Sequence, residues 1–124
     1  MKLAILQASV VSVCALLLSA CGEEEVSFKA DIQPILAKSC LECHAAGGAG
    51  AEKSGLIMSS YEDLMKGTRF GVIVKPGDAL TSALIMLVEG RVDPSIRMPH
   101  HKEPLSKDQT ALLRAWVEQG AKNN

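Results

Sequence analysis

The sequence predicts an all-α domain of about four short helices. Three observations carry this. Apolar residues recur at helical spacing in three separate segments: Phe28, Ile32, Ile35 and Leu36; Leu80, Leu84, Leu87 and Val88; and Leu112, Leu113, Trp116 and Val117. Residues suited to start and stop helices flank the candidate segments, with Ser60 before and Gly67 after one of them, Gly90 after another, and Ser106 before the last. No alternation of strand-like and helix-like segments suggests a parallel sheet, and there is no internal repeat.

Taken in order, the chain opens on a segment outside that domain. Lys2 is followed by an uncharged apolar run over residues 3–20. The run is short and weakly flanked for a membrane span, and it reads as a secretory signal over residues 1–20. Its end, "LSAC", places Ser19 and Ala20 directly before Cys21 and resembles the lipobox of bacterial lipoproteins. That resemblance implies cleavage before Cys21 and a lipid on its thiol. Residues 21–27 then form a short, flexible acidic tether, and residues 28–124 the domain. Removing residues 1–20 takes Lys2 away and leaves 104 residues with 12 basic and 14 acidic side chains, a formal charge of −2. So mild a charge points to neither nucleic acid nor an anionic membrane surface as a partner.

The segment "FKADIQPILAKS" has the first apolar face, but Pro34 removes a backbone donor and restricts Gln33. A kinked helix or two short turns is expected. "AAGGAGAEKSG", residues 45–55, is a small-residue loop, and "LIMSS" a short extended piece. "SYEDLMKG" is a small helix with Ser60 as cap and Asp63 at the capping-box position. A turn at Pro76-Gly77 leads to a helix over residues 80–89. A loop with three prolines follows. The last helix has Ser106 as cap, Gln109 completing the box, and Trp116 on its apolar stripe. Packing of Trp116 against the N-terminal helix is expected, in preference to a place at a cofactor edge.

The chemistry lies in "SCLECH". On a helical turn Cys40, Cys43 and His44 face the same way, so two thiols and an imidazole address one object. Cys-x-x-Cys-His is a haem-attachment signature, with the thiols forming thioethers to the vinyl groups and the histidine ligating iron. An exported context suits covalent attachment. The four aromatics of residues 21–124, Phe28, Tyr61, Phe70 and Trp116, make a sparse core to which a flat apolar group would add. A thioredoxin-like dithiol wants a strand–helix setting. A zinc site would need His100 and His101 with the two cysteines, but those histidines are adjacent where such pairs lie several residues apart. A plain Cys40–Cys43 disulfide is the bland alternative.

For a second axial ligand the domain offers Met58, Met65, Met86, Met98, His100 and His101. Met58 and Met86 lie in apolar segments and read as core. Met98 sits in a loop and is followed by Pro99, which restricts its backbone. It is the expected ligand, with His100 or His101 as the alternative. Arg97, Arg91 and Lys75 are candidates to pair with haem propionates, Arg97 first.

Together, "DIQPILAKSCLECH", "VKPGD" and "RMPHHKEPLSKDQTALLRAWVEQGA" resemble small class I-like cytochrome c domains, nearest the planctomycete-type group. The resemblance spans about residues 28–122. It implies an all-α fold wrapped round one covalent haem c, thioether links at Cys40 and Cys43, and iron ligation by His44 and Met98. The histidine pair after Pro99 is where the sequence departs from that family. The expected function is a lipid-anchored monohaem cytochrome, exported to the periplasmic or cell-surface side, that carries single electrons between redox partner proteins. No acid–base constellation or further metal motif marks an enzyme or a small-molecule substrate. Two other classes remain open at this point: a haem-based sensor in which a small ligand displaces Met98, and a structural lipoprotein with a disulfide or metal clip.

Overall fold

The computed structural model describes residues 22–124. Residues 1–21, with the signal, processing and lipid-anchor expectations that fall on them, lie outside the described residues.

Six α-helices follow in chain order: α1 Gln33–Ser39, α2 Leu41–His44, α3 Ala49–Ser54, α4 Tyr61–Lys66, α5 Ala83–Val88 and α6 Lys107–Glu118. A π-helical turn, Phe28–Ile32, runs directly into α1, and a 3₁₀ turn, Pro94–Ile96, stands between α5 and α6. Among the described residues no strand forms, and the nearest approach to one is an isolated bridge between Thr68 and Gly71. The domain is all-α, but it is built from more and shorter helices than the four expected.

The kink anticipated at Pro34 is the π-to-α junction. Pro34 stands in the first turn of α1, directly after the π-helical turn, and supplies no N–H to the carbonyls of that turn. Phe28, Ile32, Ile35 and Leu36 are all buried, as their spacing requires. In α4, Ser60 Oγ accepts from Asp63 N at 3.1 Å and donates to Asp63 Oδ2 at 2.9 Å. In α6 the capping box closes in both directions, with Ser106 N donating to Gln109 Oε1 at 3.0 Å and Gln109 N to Ser106 Oγ at 3.2 Å.

Three segments differ from expectation. α5 begins at Ala83, three residues late, and Leu80 is 67 % exposed. Ser82 is the cause. Its hydroxyl donates to Asp78 O at 2.7 Å and accepts from Lys75 N at 2.8 Å, while Asp78 Oδ1 accepts from Thr81 N. These bonds hold residues 78–82 as a turn. The buried face of α5 is therefore Leu84, Ile85 and Val88. Secondly, the small-residue loop contains a helix, α3, closed by Gly55 in the left-handed conformation. Thirdly, the acidic tether is docked over its last residues. Val26 is buried, its N–H donates to Gln119 Oε1 at 2.8 Å, and Gln119 Nε2 reaches Glu24 O at 3.2 Å. Phe28 N donates to Asn124 Oδ1 and Lys29 N to Asn124 O, so the domain's first and last residues are tied together.

The core joins these ends. Phe28 meets Tyr61 edge-on at 5.2 Å between ring centroids and Trp116 at 5.5 Å. Trp116 is fully buried and its Nε1–H donates to Lys122 O at 2.9 Å, while Tyr61 OH donates to Ala121 O at 2.8 Å. Three of the domain's four aromatics thus seal the crossing of the π-turn, α4 and α6, with their polar ends satisfied. On the other side of α6, burial raises the Glu89 carboxyl, but hydrogen bonds from Arg91 and Arg114 outweigh it and hold the group below its usual pKa. This pairing joins α5 to α6.

Candidate haem site

Cys40, Cys43 and His44 lie on one turn. His44 N donates to Cys40 O at 2.9 Å and Cys43 N to the same oxygen at 3.2 Å. Both thiols are free and half-buried. Burial pushes the Cys40 thiol up to about 11, against the pull of the Lys102 ammonium, with Cys43 adding a smaller upward push. It is therefore a neutral thiol near pH 7.

His44 is held at two points. Its carbonyl accepts from Met58 N at 2.8 Å, and its Nδ1 lies 3.2 Å from Leu56 O. A carbonyl only accepts, so Nδ1 carries the proton of this bond, and in the matching neutral tautomer the lone pair lies on Nε2. That is the arrangement in which an imidazole is oriented for a metal by a backbone partner.

The run "AAGGAG" has a steric task. A Cβ on Gly50 would stand 2.7 Å from His44 Cε1 and 2.9 Å from both His44 Nε2 and Cys43 O. A Cβ on Gly48 would stand 2.5 Å from Cys43 O. The start of α3 therefore rests directly on the end of α2, backbone against backbone and backbone against imidazole. Only glycine permits this approach.

Met98 is half-buried and packs against the same hydrophobic core as Cys40 and Leu41. Its N–H donates to Leu87 O at 3.2 Å, tying the loop to the end of α5. The Met98–Pro99 peptide bond is cis. Of the other methionines, Met58 is buried and Met65 and Met86 are half-buried. His100 and His101 are exposed, with ring centroids 3.8 Å apart. They share a cavity of about 410 Å³ with Pro94, Ser95, Arg97, Pro99 and Lys102. None of Cys40, Cys43, His44 or Met98 lines that cavity, so it is an outer face of the Met98 loop and not the space between the candidate ligands. Cys40 and Cys43 do not come together with His100 and His101: among the described residues no group of three or more His, Cys, Asp or Glu could hold a bare metal ion.

The three basic candidates separate. Arg91 is engaged by Glu89 at 2.6 Å and by Leu80 O at 3.0 Å, and Lys75 Nζ by Thr81 Oγ1 at 3.1 Å. The Arg97 guanidinium makes no hydrogen bond among the described residues. Trp116 lies in the aromatic core, as expected. Sequence reasoning missed the Leu56 carbonyl, because a backbone acceptor has no residue signature. It also missed Gly48 and Gly50 as individuals, although their run was conspicuous, and the ion pair between Lys102 and Glu42 described below.

Two free thiols on one helical turn, an imidazole with Nε2 free, and a half-buried thioether on the same core are a donor set that fits haem. A small all-α domain carrying Cys-x-x-Cys-His in this way is of the c-type cytochrome class. Comparison with family models agrees: the model for planctomycete cytochrome C matches residues 40–101, half of the 124-residue chain. The protein belongs to the planctomycete cytochrome c family, and the membership implies a covalently bound haem c. The matched region opens on the first thiol and closes on His101. Neither the search of curated proteins nor that of solved structures returned a match.

Proposed function

We propose that the protein is a monohaem cytochrome that carries single electrons outside the cytoplasm, held at a membrane by a lipid on Cys21. When bound, a haem c supplies reversible one-electron chemistry at iron and no bond chemistry on a substrate. In this proposal Cys40 and Cys43 fix the group through thioethers, His44 is the proximal ligand through Nε2, and Met98 is the distal ligand. Leu56 O holds the His44 ring through Nδ1, and glycine at position 50 lets α3 pack beside the ring with no Cβ pressed into its Cε1–Nε2 edge. Arg97 is the residue free to meet a propionate. Methionine at the distal position favours a higher potential than a second histidine would. The partners are redox proteins on the same side of the membrane.

The observation that carries this reading is the held imidazole. Nδ1 is bound to a carbonyl, Nε2 keeps its lone pair, and two unpaired thiols share the turn. The exposure of His100 and His101 supports Met98 over either of them. For the anchor, support comes from "LSAC" and from the short span of chain between Cys21 and the docked Val26. No helix among the described residues is long and apolar enough to cross a membrane.

The test is a set of visible spectra of the exported protein, oxidised and reduced, with and without carbon monoxide. A low-spin six-coordinate spectrum indifferent to carbon monoxide is expected, and Met98→Ala should abolish the sulfur–iron charge-transfer band and lower the potential. Ready carbon monoxide binding by the parent would favour a sensor, and an unchanged Met98→Ala spectrum would assign the ligand to His100 or His101. Cys21→Ser should release the protein from membranes or block its processing. Undiminished membrane association of that variant would overturn the anchor.

A further inference from the structure

The loop that carries Met98 packs Met98 and Leu105 on the core but makes few hydrogen bonds to other elements. On its upstream side, Met98 N–H bonds Leu87 O. Beyond Met98, one hydrogen bond among the described residues joins residues 99–105 to another element: Lys102 Nζ donates to Glu42 Oε2. The two partners are 60 residues apart in sequence. Glu42 lies inside the attachment motif, between Cys40 and Cys43 on α2, and Lys102 lies four residues past Met98. The ion pair therefore spans from the helix bearing the proximal side to the loop bearing the distal side.

We propose that Glu42 and Lys102 form a latch that holds the Met98 loop against the attachment helix and so limits displacement of the distal ligand. Both residues are positioning residues that touch neither iron nor ligand. The proposal rests on Met98 as distal ligand, and the mechanism is simple. To expose the distal position the loop must swing away from α2, and swinging breaks the one polar tie on its downstream side. The pair is partly exposed, with Glu42 more open than Lys102, so its contribution is modest and sensitive to salt.

The test uses the haem-bearing protein and titrates it with imidazole. Lys102→Met, Glu42→Gln, the double variant, and the charge exchange Glu42→Lys with Lys102→Glu are compared at low and high ionic strength. Each single variant should bind imidazole up to about fivefold more tightly at low salt, the range expected for removing one exposed ion pair. The double variant should match the singles, and the exchange should restore most of the parental resistance. The differences should vanish near 1 M salt, where the Debye length is about 3 Å. Unmoved imidazole affinity in both singles at low salt, or effects that add in the double variant, would overturn the latch. Amide exchange at Met98 is a second measure that does not depend on ligation. It should quicken in both singles and recover in the charge exchange, and unchanged exchange would again overturn the latch. A parent without the sulfur–iron band would instead overturn Met98 as ligand, leaving the exchange measurement to decide the latch by itself.

Discussion

Replacing Gly50 by alanine probes the contact on which the site depends. In an unobstructed helix position the change would stabilise the protein by about 0.5–1 kcal/mol, because alanine loses less backbone entropy than glycine. Here the new methyl group would stand 2.7 Å from His44 Cε1 and 2.9 Å from Cys43 O. Carbon contacts are comfortable at about 3.5–4.0 Å, so the overlap with the ring is about 1 Å. The obstacles are a backbone carbonyl and a ring fixed by Leu56 O, and neither can move aside cheaply. Overpacking of this kind costs about 1–3 kcal/mol. The expected net result is a loss of about 1–2 kcal/mol, the opposite sign from an open helix position. Urea unfolding of the purified protein measures it, with a visible spectrum to follow the His44 environment. A Gly50→Ala protein as stable as the parent, with the same spectrum, would show that α3 does not rest on His44.

Other predictions concern the core and the thiol. Trp116→Ala should destabilise by about 3–5 kcal/mol, since it empties a fully buried aromatic site and leaves Lys122 O without its partner; calorimetry measures this, and a loss below about 1 kcal/mol would contradict the aromatic core. Haem-free protein should lose stability between about pH 9 and 11. In that window the folded Cys40 still holds its proton and the unfolded one does not, so stability is intact below about 9 and falls as pH rises. The loss should reach about 2 kcal/mol at most, given partial exposure. A thioether at Cys40 has no proton, so the haem-bearing protein should lack this alkaline fall, and an equal fall in both forms would contradict a link at Cys40.

Much of the architecture is written in the sequence because its signals are local. The α6 box needs only Ser106 and Gln109 at their spacing, and the buried face of the first segment needs only the period of Phe28, Ile32, Ile35 and Leu36. The turn geometry of Cys40, Cys43 and His44 is equally local. What escaped depends on distant contacts or on competing bonds. α3 has no sequence signature because glycine and alanine carry no amphipathic pattern, and it exists where α2 offers a backbone surface for it. The late start of α5 follows from the Ser82 hydroxyl choosing Asp78 and Lys75 partners, which apolar periodicity does not register. The docked tether needs Gln119 and Asn124, nearly the whole domain away in sequence. Leu56 O and the Glu42–Lys102 pair likewise become visible only once the chain is folded.

The central claim is that Cys40 and Cys43 carry the haem. Intact-mass analysis of the protein, exported with the haem-attachment machinery and then denatured, tests it most directly. The expected result is a mass raised by one haem that survives denaturation, and loss of that increment in the Cys40→Ala, Cys43→Ala double variant. A mass without haem, or haem that dissociates on denaturing the parent, would contradict it.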